Sequence, residues 1–142
     1  MLRKIVALSV FAVLCLAVAG RAEDEKNVVG TWVPAEGTMA GKEMPADVLK
    51  TTKLTLGDGK YTVNTGGETE SGIYKLNQKA KPKTVEITHG EGPQKGKVTK
   101  AIYELKGDTM KVCYNLKGDD FPKDFTSTEE NKYLIFVYKR QK

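Results

Sequence analysis

VTKAIYELKGDTMKVCYNL, residues 98–116, is the stretch whose reading decides the fold. Met110, Val112 and Tyr114 fall two residues apart, with Lys111 and Cys113 between them. A period of two belongs to a β-strand, since a helix brings apolar residues back every three or four positions. Lys106-Gly107-Asp108 interrupts the alternation, and its glycine supplies the positive φ that a tight hairpin turn requires. The stretch therefore reads as two antiparallel strands, 98–105 and 109–116, each with one apolar face.

The same pattern repeats outward in both directions. Strands are expected at 30–34, 53–56, 60–64, 71–76, 83–88 and 132–140, with glycine turns at Gly57-Asp58-Gly59 and Gly66-Gly67. Leu54 shares a face with Leu56, Tyr61 with Val63, Tyr74 with Leu76 and Val85 with Ile87, while lysines, threonines and Glu86 take the opposite face. Eight consecutive strands with one apolar face each predict an all-β, eight-stranded antiparallel up-and-down barrel, a two-sheet sandwich being the other way to enclose the same core. The last strand is apolar on both faces from Tyr133 to Tyr138, so its outer side is expected to be covered, by a helix or by the N-terminal segment. The single expected helix spans 45–50, with Pro45 at its first position and Asp47 beside the exposed amides. Under two turns long, it must pack over one end of the sheet.

The N-terminus reads as a leader. Arg3 and Lys4 precede a charge-free run, 5–19, that is shorter than the ~20 apolar residues needed to span a bilayer. Small residues suit cleavage after Ala19 or after Ala22, so residues 1–22 are expected to be a signal peptide and 23–142 a single exported domain, periplasmic or extracellular, with no stable membrane anchor. Cys15 lies inside the apolar run behind Leu14, which is wrong for a lipidation site. A cut after Ala19 removes two of the basic residues behind the formal charge of +5, and the remainder does not call for nucleic acid. Cys113 is then the sole cysteine, so no internal disulfide is possible and the core must supply the stability.

GTW at 30–32, with Arg140 near the end of the last strand, resembles the opening and closing strands of lipocalin-like barrels. MPADVLK at 44–50, GIYKL at 72–76, KPK at 81–83, GPQKGK at 92–97, IYEL at 102–105, GDTMKVC at 107–113 and FTS at 125–127 extend the likeness. Together they resemble a family of uncharacterised lipocalin-like secreted domains of planctomycete-type bacteria. The resemblance implies a barrel, export, and a structural role for Trp32 and Arg140, whose guanidinium would lie over the indole and close the base. It leaves the ligand open.

No catalytic set stands out. His89 is the single histidine and lacks the partners that a base or a zinc site needs, so it reads as structural or solvated. Cys113, on the less apolar face beside Lys111, reads as a half-buried packing thiol, with an intermolecular disulfide as the alternative. The stretch 90–97 fails the phosphate-loop pattern, because Glu91 stands where its first glycine belongs and Val98 follows Lys97. Lys79, Lys81 and Lys83 have no interleaved aromatics for nucleic acid, and Asp119, Asp120 and Asp124 lack calcium-loop spacing. Neither cofactor nor metal is expected. Tyr61, Tyr74, Tyr103 and Tyr114 fall on the apolar parity of their strands and are the candidate ligand-binding residues, provided the lumen is not simply filled by side chains. Two functions follow. One is a non-enzymatic binding domain for a small apolar or amphipathic ligand; the other is a protein-interaction or inhibitor module of the cell envelope, acting through its loops and the 118–125 segment around a filled barrel.

Overall fold

The hairpin read from 98–116 stands in the computed structural model as β7 (Val98–Lys106) and β8 (Thr109–Asn115), paired from Lys100↔Asn115 to Lys106↔Thr109. Residues 23–142 are described; the leader, both cleavage positions and Cys15 lie outside the described residues. The remaining strands are β1 (Gly30–Met39), β2 (Lys42–Glu43), β3 (Thr52–Leu56), β4 (Lys60–Thr65), β5 (Glu68–Asn77), β6 (Thr84–Glu91) and β9 (Leu134–Arg140). Each of β3 to β9 pairs antiparallel with its neighbour in sequence, and β1 pairs with both β3 and β9. The result is an all-β, closed, eight-stranded up-and-down barrel of the lipocalin-like kind, with the two-residue β2 as a flap on β1.

Two short helices, not one, occur among the described residues: α1 (Glu23–Asn27) and α2 (Ala46–Lys50). The sequence missed α1 because five residues, four of them charged, carry no helical period; α1 is held by what it caps. Pro45 is the residue that caps α2 instead of its first helical position, with ψ of 146°.

β1 runs five residues past the expected end at Pro34. A proline cannot donate to a ladder, so it reads as a strand terminus. Here it sits at a bulge: Pro34 faces Tyr138 and Glu36 faces Val137, which leaves Ala35 without a partner on β9. β1 meets β3 only from Gly30 to Trp32, then leans away with β9, and α2 lies beside the part that has left β3. Leu49 of α2, Met44 and Phe136 approach Gly37 so closely that a Cβ there would sit about 3 Å from each.

The barrel thus has two different ends. Turns 57–59 and 107–108, the 78–83 connection, α1 and the C-terminus gather at the base. The mouth carries α2, turn 66–67, loop 92–97 and the long 116–133 loop. That loop, and neither a helix nor the N-terminal segment, covers the outer face of β9. Ile102, Cys113 and Ile135 form a second small core outside the barrel wall, packed by Phe121, Phe125 and Tyr133. Lys100 and Lys111 lie over the rings of Phe121 and Phe125 at 5.1 and 4.9 Å. No described helix is long and apolar enough to cross a membrane.

Candidate functional site

The base is built around a fully buried Trp32, whose indole N–H donates to the Val28 carbonyl at 2.8 Å. Arg140 places its guanidinium carbon 4.4 Å from the indole centroid, a contact worth about 0.5–2 kcal/mol depending on desolvation. The same guanidinium donates to Asp108 Oδ1 at 3.0 Å, to the Val29 carbonyl at 2.8 Å and to the Asn27 carbonyl. It therefore ties the last strand to the backbone that follows α1. Within α1, Asp24 turns inward and accepts from the Tyr103 hydroxyl at 2.7 Å and from Lys83 Nζ at 2.9 Å. Burial, and then the Asp24 carboxylate, push the Tyr103 phenol far above its ordinary range. Tyr74 donates to the Gly57 carbonyl at 2.6 Å. Of the four candidate tyrosines, Tyr74 and Tyr103 therefore commit their hydroxyls to the base, although both rings face the lumen.

Above this plug the lumen is not filled. A cavity of about 210 Å³ runs between the walls, lined mainly by aliphatic and aromatic side chains from β3 to β9, among them Leu54, Val85, Val112 and Phe136. A cavity of ~150 Å³ with such walls accepts a benzene-sized guest. Two sets of polar groups interrupt the apolar lining.

The first is a phenol pair. Tyr114 on β8 and Tyr138 on β9 bring their hydroxyls to 2.8 Å, with Phe136 edge-on to one ring and tilted against the other. Burial raises Tyr114 to about 12 and Tyr138 well above its ordinary value, so both are neutral donors across the physiological range.

The second set surrounds His89 near the mouth. Nδ1 lies 2.8 Å from Glu70 Oε1 and 3.2 Å from the Tyr61 hydroxyl, and Nε2 lies 2.9 Å from Thr99 Oγ1. A carboxylate only accepts, so Nδ1 carries the proton shared with Glu70; with the ring neutral, Nε2 then accepts from Thr99. Burial, and then Glu70, raise the Tyr61 phenol to about 12. The order carboxylate, imidazole, hydroxyl imitates a nucleophilic triad. Acyl transfer also needs donors aimed at an oxyanion, and in a barrel wall the backbone N–H groups lie in the plane of the sheet, not toward the lumen.

The structure brings Tyr61 and Tyr114 to the upper cavity together with four residues that the sequence does not group with them: Glu70, Thr99, Tyr138 and His89, which finds partners in Glu70, Thr99 and Tyr61. Thr99 was assigned outward with the other threonines, yet it shares the inward parity of Ala101 and Tyr103 and is buried. Tyr138 shares parity with Phe136, a signal blurred because β9 is apolar on both faces. Glu70 preceded the expected start of its strand. Cys113 is completely buried in the outer core instead of half-buried, and burial lifts its thiol to about 11.

No protein-family model and no curated protein matches the chain. Among solved structures it is similar to a DUF4847 family protein from Bacteroides vulgatus ATCC 8482, with 15% identity and a TM-score of 0.51, covering 84% of this chain and 99% of that one. The likeness supports the barrel architecture and carries no activity with it.

Proposed function

We propose that this chain is an exported, non-enzymatic binding domain that holds a small apolar or amphipathic molecule inside its barrel. The observation that carries the proposal is the cavity of about 210 Å³, walled by apolar side chains and closed beneath by α1, Trp32 and Arg140. The charged run after a short apolar segment supports export, as does the sequence resemblance to lipocalin-like secreted domains of planctomycete-type bacteria. An interaction module built on the 118–125 segment draws less support, because Phe121 and Phe125 pack on the barrel's own wall.

The test is a titration of the protein with cumene, followed by amide chemical shifts, beside native mass spectrometry of protein purified from its own source. Shifts confined to residues of β3 to β9 that face the lumen, lost in Val112→Phe, support the proposal. A source-purified protein with no extra mass, and no shift with cumene, overturns it.

A further inference from the structure

Two phenols that face each other across 2.8 Å hold two protons and share one hydrogen bond. Whichever hydroxyl donates, the accepting one keeps a proton of its own, and among the described residues no other group stands within reach of either oxygen. Tyr138 is 2% exposed and Tyr114 partly exposed, so the spare proton is shut off from bulk water when Tyr114 donates and Tyr138 keeps it. A buried donor without an acceptor costs roughly as much as a lost hydrogen bond. The pair lines the cavity, so that proton is available to whatever occupies it.

We infer that the Tyr114–Tyr138 pair is the polar recognition point of the lumen, and that the occupant is a small neutral molecule with an apolar body and a carbonyl oxygen: a ketone, aldehyde, ester or quinone. The inference rests on the binding function proposed above and names its ligand class. An acceptor suits the pair because its spare proton needs one; of the other lumen phenols, Tyr74 and Tyr103 give their hydroxyls to Gly57 and Asp24, and Tyr61 stands in the His89 cluster. Neutrality is required because the lining contains neither lysine nor arginine, and its one imidazole is engaged by Glu70. A carboxylate would enter uncompensated and close to another carboxylate. A carbonyl is favoured over an alcohol, since it takes the spare proton and brings none of its own to be placed on a phenol oxygen, which is a weak acceptor. The arrangement also strengthens the contact, since a phenol that accepts a hydrogen bond is polarised and donates more strongly.

The experiment compares acetophenone with cumene, which match in size and differ in the carbonyl, on wild type and on Tyr114→Phe/Tyr138→Phe, by calorimetric titration. The double substitution removes the shared bond and the spare proton together and keeps the ring volumes. It is expected to weaken acetophenone about tenfold, the weight of one buried hydrogen bond, and to leave cumene unchanged or tighter. Cumene binding to the variant doubles as proof that its cavity is intact. The infrared carbonyl stretch of acetophenone bound to wild type supplies a reading that needs no variant: it is expected below its position in hydrocarbon solvent. Equal losses for both probes, no loss for either, or a carbonyl stretch at the hydrocarbon position overturns the inference while the binding function stands. Failure of both probes to bind wild type, with a source-purified protein that carries no extra mass, overturns the binding function itself.

Discussion

At the scale of single residues, the base turns on Asp24. Its carboxylate is the acceptor for a buried phenol and a lysine that reach it from β7 and from the 78–83 connection. Asp24→Ala leaves the Tyr103 hydroxyl buried with no acceptor, which costs about 1–3 kcal/mol. Asp24→Ala/Tyr103→Phe removes the orphan as well, and is expected to recover part of that loss; urea unfolding of the two single variants and the double variant measures the coupling. Had the two losses simply added, the bond would be incidental. Nothing in the sequence announces this pairing, because Asp24 stands in a charged run that reads as solvated and its partner lies 79 residues away. By contrast, the inward parity of Tyr103 was plain from its neighbours Ala101 and Leu105. Local alternation is written in adjacent residues, whereas the partner across a closed barrel depends on a register that no short stretch contains.

At the scale of elements, the same division holds. All eight wall strands were legible, β9 as a run apolar on both faces, and the points where they depart from regularity were not. β5 and β6 slip at Gly72, which faces His89 while Ser71 faces Glu91, so that Gly90 is the extra residue of a bulge. The two glycines cross so closely that a Cβ on Gly72 would stand 2.1 Å from the Thr88 carbonyl oxygen and 2.8 Å from a carbon of the Tyr61 ring. Backbone of a paired strand does not yield as a side-chain tip does. Gly72→Ala is therefore expected to destabilise by ~3 kcal/mol and to displace Tyr61 from His89, whereas Gly57→Ala, whose nearest atom would be 3.8 Å off, is tolerated. Denaturant midpoints for the two variants check this; equal midpoints would show that the crossing is loose. His89 keeps the inward parity of Val85 and Ile87, and Glu70 that of Tyr74 and Leu76; alternation therefore contained their facing, while their meeting depends on how β5 and β6 pair.

At the scale of the whole molecule, the lumen phenols and Cys113 ionise later in the folded chain than in the unfolded one. For Tyr61 and Tyr114 the value rises from 10.0 to about 12, and for the Cys113 thiol from 9.0 to about 11. Between each ordinary value and its raised value, the unfolded chain has released a proton that the folded chain retains. Stability from these groups is thus complete below about pH 9 and declines as the pH climbs toward 12, by about 1.4 kcal/mol per pH unit for each group in its window. Alkaline titration is expected to show tyrosinate absorbance and the loss of β-sheet circular dichroism rising together for the buried phenols. Phenolate formation at ordinary values in a still folded barrel would contradict the burial described.

The seam of the barrel joins Trp32 to Arg140 and continues along β1 and β9 to Met39 and Leu134. A growing chain can lay down β3 through β8 as successive hairpins, yet the ring stays open, with bare edges, until β9 has been made. Closing so long a loop is slow relative to forming its hairpins. For the interval between synthesis and closure the polypeptide is a threadable ribbon with no lumen, and a guest molecule has nowhere to lodge until the last strand arrives.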